Sequence, residues 1–227
     1  MYFTKCERLL WVGSVLLILL SFLLFDRSNI LTLSASLIGV TALILNAKGN
    51  PVGQVLIILF SLFYGVISYT FAYYGEMITY LGMSAPMALA ALISWLRHPY
   101  DGNRAEVTVG HLHRWELWCL PVLTALVTVL FYFILEFFQT ANLLPSTLSV
   151  ATTFLAVYLT FRRSPYFALA YAANDIVLIV MWVLAAGTDI TYVSVIVCFA
   201  AFLVNDIYGF ANWRKMQKRQ QHSTKPT

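Results

Sequence analysis

Long apolar runs separated by short polar turns dominate the chain. The runs fall at about 9–25, 30–46, 52–73, 77–96, 115–138, 146–161, 165–187 and 190–212. Crossing a bilayer takes roughly 20 apolar residues per helix, so each run is read as one crossing. The runs 30–46 and 146–161 sit at or below the short end and need their neighbouring turns to complete them. The breaks "DRSN", "AKGNP", "YYGE", "FQTANLLP", "RRSP" and "GTD" carry the Gly, Pro and Asn expected where helices reverse. Continuous runs rather than alternation predict helices and not a barrel. Only 97–114, "RHPYDGNRAEVTVGHLHR", is long enough for an interfacial loop. The prediction is an all-α polytopic membrane protein of about eight transmembrane helices, residues 1–227 forming a single membrane domain with no soluble part.

Composition agrees, with 60% hydrophobic and 11% charged residues in 227. The net charge of +4 would suit a nucleic-acid binder, but its placement argues for membrane topology instead. With eight spans, one face collects Lys5, Arg8, Lys48, Arg97, Arg104, Arg114, Arg162, Arg163, Arg214, Lys215, Lys218, Arg219 and Lys225, and the other has Arg27 alone. Positive residues stay on the cytoplasmic side, so both termini are expected there. The first run follows Lys5 and Arg8 as a signal peptide would. Its length and the absence of a small-x-small site before "DRSN" favour a retained helix. Cys6, Cys119 and Cys198 have no metal or redox spacing and read as small packing residues.

The pattern also looks duplicated. Residues 30–97 and 146–215 each hold a short helix, a basic turn ending in Pro51 or Pro165, a longer helix, an acidic turn and a helix ending in Trp95 or Trp213. One connecting helix, 115–138, lets both triplets keep the same orientation, a 3+1+3 parallel repeat with 9–25 as an extra N-terminal helix. Repeats of this kind place transport sites near the midplane between the halves.

Polar residues inside the runs are the candidate chemistry, because ionisable groups are costly at membrane depth. At about 100° per residue, Asp175, Leu178 and Trp182 share a stripe, as do Asn205, Tyr208 and Asn212. Gln54, Ser61 and Ser68 form a third, with Tyr64 beside them. Aligning Pro51 with Pro165 sets Ser61 opposite Asp175 and Ser68 opposite Trp182. Asn174, Asp175, Trp182, Asn205, Tyr208, Ser61, Tyr64, Ser68 and Gln54 are therefore the candidate substrate-binding residues. The bland reading of the serines and Gln54 is inter-helix glue. Trp182 is either an outer belt residue or a stacking wall, whereas Trp11, Trp95, Trp115, Trp118 and Trp213 read as a belt beside the basic residues. Asp206 is expected to pair with a nearby Arg or Lys, and Glu76 and Glu136 to be solvated. His111 and His113 form a lone HxH, read as ordinary loop, and no metal, cofactor, nucleophile or phosphate motif is found.

No Lys or Arg falls within the central part of any run, which disfavours a phosphorylated solute. Carboxylates, amides and aromatic rings suit a neutral or cationic planar molecule bearing hydroxyls.

The turn "AKGNPVGQ", the stretch "YYGEM" and above all "NDIYGFANW" at 205–213 make residues 30–216 resemble the PnuC-type nicotinamide riboside transporters, also named nicotinamide mononucleotide transporters. The resemblance implies a SWEET-like fold in the bacterial inner membrane, a homotrimer, and facilitated diffusion of nicotinamide riboside trapped by a cytosolic kinase. It also implies a site between the triplets near Asn205, Tyr208, Asn174 and Trp182. The stretch "MSAPMALAALISW" departs from a symmetric copy of that motif, which leaves the first-triplet ligands open. Rocking of the triplets is expected, with Pro86, Pro165 and nearby glycines as flex points. Relatives carrying thiamin or riboflavin, a vitamin-binding subunit served by an ATP-driven partner, and proton coupling through Asp175 or Asp206 stay open as alternatives. A membrane enzyme is disfavoured for want of a nucleophile or metal cluster.

Overall fold

The computed structural model describes residues 2–27, 29–70, 73–140 and 142–223; Lys225 of the basic set lies outside them. Eight helices among the described residues are long and apolar enough to cross a membrane. They are α1 (Lys5–Phe25), α2 (Ile30–Ala47), α3 (Val52–Thr70), α4 (Tyr74–Arg97), α5 (Arg114–Phe137), α6 (Leu143–Phe161), α7 (Phe167–Ala186) and α8 (Val193–Ser223). Between α4 and α5 lies a two-stranded antiparallel hairpin, β1 (Pro99–Tyr100) and β2 (Asn103–Val107), which the apolar pattern did not foretell.

Helices α2, α3 and α4 pack together, as do α6, α7 and α8, and the groups meet where α2 lies on α8 and α4 on α6. A Cβ at Gly39 would collide with Phe202, so glycine permits the close approach of α2 to α8. The long helices α1 and α5 stay peripheral and turn most of their apolar surface outward. In α4 a π-helical turn, Tyr80–Ser84, precedes Pro86. Pro86 cannot donate to the carbonyl four residues back and would crowd it, and the wider turn accommodates the ring.

The two groups repeat each other's local structure. Both α2 and α6 end with a left-handed residue, Gly49 at φ +68° and Arg163 at φ +57°. Around each, Asn50 N–H donates to Leu45 O and Ser164 N–H to Leu159 O at 3.0 Å, while Gly49 N–H bonds Asn46 O and Arg163 N–H bonds Thr160 O at 2.9 Å. This is the 6→1 and 5→2 pattern that satisfies the last carbonyls of a helix. The tryptophan closing each group then caps the other: Trp213 Nε1 donates to Asn46 O at 2.8 Å and Trp95 Nε1 to Thr160 O at 3.0 Å. Segment 107–110 ties both turns, with Val107 N–H on Gly49 O and Gly110 N–H on Arg163 O.

Helices α1 and α5 begin alike. Thr4 and His113 occupy the N-caps, and Glu7 and Glu116 complete capping boxes. Glu7 pairs with Lys48 at 3.1 Å and Glu116 with Arg162 at 2.7 Å, each reaching the basic residue just past the following helix.

Trp95 and Trp213 are thus no interfacial belt. Their rings touch, 5.4 Å between centroids, and both are buried, because each N–H is needed on a helix-end carbonyl that apolar surroundings would otherwise strand. Trp11, Trp115 and Trp118 remain exposed, as a belt requires.

Candidate functional site

Between the two groups, at mid-depth, lies a small cavity. Helix α3 contributes Ser61, α4 Tyr80 and Ser84, α6 Thr153, α7 Tyr171, Asn174 and Asp175, and α8 Asp206, with Phe60, Phe199 and Phe202 as apolar wall. Its volume of about 40 Å³ is little more than one water's share of liquid volume. A nucleoside therefore enters only if the groups move apart. A larger groove of about 500 Å³ lies between the hairpin and the end of α8, but it sits outside the apolar spans and far from the buried acids.

Asp175 and Asp206 face each other within hydrogen-bonding reach and are 4% and 5% exposed. Among the described residues Asp206 therefore has no basic partner, contrary to the pairing expected. The ion pairs among the described residues, Lys48–Glu7, Arg162–Glu116 and Arg219–Glu106, all use acids near helix starts or in the hairpin. The reason is helical phase. Phe199, Phe202 and Asp206 follow one stripe of α8 into the cavity, which turns Asp206 inward rather than toward the basic end. Asp175 Oδ2 and the Ser61 hydroxyl are buried without partners, so the cavity holds unspent hydrogen-bonding capacity.

Asn174 is held by three hydroxyls on its Oδ1: Thr152 at 2.8 Å, Thr153 at 3.1 Å and Ser149 at 3.3 Å. One oxygen has two lone pairs, so the three donors compete and clamp the amide to α6. Above the cavity, Trp182 is fully buried and donates Nε1–H to the Tyr64 hydroxyl at 2.7 Å. It is not an outer belt residue; Tyr73, Tyr192 and Tyr64 enclose its ring, and Phe199 packs on Tyr64. Below, Gln54 Nε2 bonds Asn46 Oδ1 at 2.9 Å, beside the Trp213 cap.

The remaining candidates lie elsewhere. Asn205 donates to Ser14 of α1 at 2.9 Å, and Tyr208 donates to Glu7 at 3.1 Å, so their stripe faces α1. Ser68 is buried without a partner but does not line the cavity. Glu76 departs most from expectation. It is 0% exposed, with Ser149 facing it and neither oxygen in a well-aligned hydrogen bond. The turn "YYGE" starts α4 against α5, where Gly75 abuts Leu135 and Thr140, so packing covers the acid. Glu136 is exposed, as expected.

The sequence reading sends Asp206 to the basic edge instead of the cavity and does not single out Tyr80, Ser84, Thr153 or Tyr171. For Asp206 a signal existed in the i, i+3, i+7 spacing of Phe199, Phe202 and Asp206. The others look like ordinary packing residues until two helices bring them together.

A family model described as nicotinamide mononucleotide transporter matches residues 29–215. The chain belongs to the nicotinamide mononucleotide transporter family. It is similar to the "Nicotinamide riboside transporter PnuC" of Neisseria mucosa, 25% identical over 202 residues, spanning 86% of this chain and 76% of that protein. The protein of the same name from Haemophilus influenzae is 24% identical over 190 residues, spanning 83% and 81%. The fold matches a crystal structure described as the vitamin B3 transporter PnuC with a TM-score of 0.85 and 21% identity, covering 96% of this chain and 94% of that one. As a member of this family the chain is a membrane transporter and not an enzyme, a multi-pass protein of the bacterial inner membrane. The family match leaves out α1 and includes the cavity and both tryptophan caps.

Proposed function

We propose that this transporter carries nicotinamide riboside inward by facilitated diffusion, both termini cytoplasmic, with the cargo trapped by cytosolic phosphorylation. The observation carrying the substrate is the cavity's chemistry. Two carboxyl groups, hydroxyls of Ser61, Ser84 and Tyr80, an amide and aromatic walls meet there with no Lys or Arg among the lining residues. A ribose supplies hydroxyls for such groups, and a pyridinium ring supplies the positive charge they lack. A mononucleotide would bring about −1.5 to −2 of phosphate charge beside two buried acids without a compensating cation, which disfavours it.

Ser61, Asn174, Asp175, Tyr64 and Trp182 remain the proposed substrate residues, joined by Asp206. Trp182 and Tyr64 would part to admit the ring. Gln54, Ser68, Asn205 and Tyr208 act at a distance, through the floor, the helix contacts and the α1 anchor. The recurring end motifs and reciprocal Trp caps support a SWEET-like parallel repeat whose halves rock about the cavity. The similar starts of α1 and α5 pair each peripheral helix with the triplet after it. A homotrimer is proposed on the resemblance alone.

The test is uptake into liposomes by the purified protein, with nicotinamide riboside, nicotinamide mononucleotide, thiamin and riboflavin compared. Riboside uptake without any partner protein is expected. Preference for the mononucleotide or another vitamin would reject the substrate, and need for an ATP-driven partner would reject the mechanism.

A further inference from the structure

We propose that Glu76 and the tyrosines beside it form a second, outer binding site, which receives the cationic ring of the riboside before the ring descends into the cavity. The proposal rests on the reading of the cavity as the riboside site and on the cytoplasmic placing of both termini, and it adds a first station on the path.

Helical spacing puts Glu76 on that path. Glu76, Tyr80 and Ser84 recur every four residues along α4, so they follow one face of the helix. Tyr80 and Ser84 line the cavity, and Glu76 stands one turn, about 6 Å, nearer the outer end. The facing wall is α6, where Ser146, Ser149 and Thr153 form a matching stripe. Ser149 faces Glu76, and Ser149 and Thr153 both donate to Asn174 Oδ1. Thr153 and Asn174 in turn line the cavity. A polar seam between α4 and α6 thus runs from Glu76 down to the cavity.

The chemistry of the place suits a flat cation. Glu76 is fully buried, and neither carboxyl oxygen makes a well-aligned hydrogen bond. On the next turn Thr79 is buried too, its hydroxyl unpartnered. The ion pairs among the described residues use Glu7, Glu116 and Glu106, so Glu76 has no basic partner there. Tyr64, Tyr73 and Tyr80 lie within electrostatic reach of its carboxyl group. Their rings continue into the aromatic roof: Tyr64 and Tyr80 are 4.5 Å apart, and Tyr73 meets Trp182 at 5.0 Å. A carboxylate beside aromatic rings attracts a cation through its charge and through the ring quadrupoles. The exposed Asp189 and Glu136, near the same end of the bundle, draw cations toward it.

A carboxyl group sealed in without a partner is held at a cost. That cost is relieved when the halves part toward the outside and water reaches Glu76. Open to water it is an ordinary carboxylate, and the pyridinium ring meets it there. Closing the roof covers Glu76 again and favours passage of the ring one turn inward, to Asp175 and Asp206. Glu76 exchanges with the outer side alone, so the step couples no ion to transport, in keeping with facilitated diffusion.

The experiment uses liposomes holding the purified full-length protein. It compares initial uptake, well below saturation, of nicotinamide riboside and of its dihydro form, which has nearly the same shape and no charge. The parent is expected to prefer the cation. Glu76→Gln is expected to lower that preference about fivefold, what an ion pair open to water supplies, with uptake of the dihydro form unchanged. Its melting temperature should be no lower than the parent's, because a neutral amide replaces a buried acid without a counter-charge. Glu76→Asp keeps the charge and should keep most of the preference. Glu76→Met, apolar and of similar length, should match Glu76→Gln and serves if the amide is poorly tolerated. Equal slowing of both substrates in the neutral variants would make Glu76 a packing residue and overturn the outer site. So would an unchanged preference, or a loss in Glu76→Asp as large as in Glu76→Gln. Each of these leaves the riboside reading standing, whereas a parent that takes up no riboside overturns both.

Discussion

Replacing Trp213 by Phe tests how the two groups are locked together. The substitution removes an N–H donated to Asn46 O at 2.8 Å inside the protein. A buried hydrogen bond contributes about 0.5–1.5 kcal/mol net. Shrinking the fully buried indole to a phenyl ring adds about 1–2 kcal/mol for lost contact and residual space, less than the cost of truncation to Ala. The total is about 1.5–3.5 kcal/mol. For a chain of this length that lowers the melting temperature by roughly 3–14 °C. Trp95→Phe removes the matching bond to Thr160 O at 3.0 Å and is expected to cost a similar amount. Because the rings touch at 5.4 Å, each single variant already damages their mutual contact. The double variant should therefore cost less than the sum, by about 0.5–1.5 kcal/mol. Thermal unfolding of the detergent-purified parent, both singles and the double measures all four corners. Single variants melting within about 1 °C of the parent, or strict additivity, would refute the reciprocal latch.

Two further outcomes are expected. Ser61→Ala should leave stability within about 0.5 kcal/mol of the parent, because the hydroxyl has no partner to lose, yet weaken riboside binding about fivefold; a melting loss with unchanged binding would assign Ser61 to packing instead. Glu7→Gln should cost about 1–3 kcal/mol, since Lys48 loses its counter-charge and Tyr208 its carboxylate acceptor, discounted for the partial exposure of Lys48; an unchanged melting curve would show that α1 is not anchored there.

Much of the fold was legible because bilayer physics acts locally. A helix that must satisfy its own backbone in lipid announces itself as an apolar run, and all eight runs are helices. Their ends moved by a few residues, as where α1 begins at the Thr4 cap and α8 runs on to Ser223. The hairpin was missed because two short strands of mixed polarity have no periodic signature. They are held by backbone bonds and by Gln220, which meets Val109 N–H and Val107 O from the end of α8.

The acids mark the limit. Their cost at depth was evident from residue type alone, so Asp175 and Asp206 could be singled out without any structure. Which way each turned could not. Neighbouring stripes of α8, one through Asn205 and Tyr208 and one through Phe202 and Asp206, are both plausible inner faces from sequence. The packing of α1 on the first leaves the second for the cavity. Glu76 is the converse case, a turn residue that reads as solvated until α6 sets Ser149 against it and the start of α4 is buried. The sequence by itself determined the number of crossings, their order, the segregation of positive charge and the presence of costly polar groups, because each is a property of a single segment in a bilayer. Only the tertiary structure decided that two of those acids meet, that the end tryptophans cap opposite halves, and that Glu76 is sealed in, because each depends on how one helix is rotated against another.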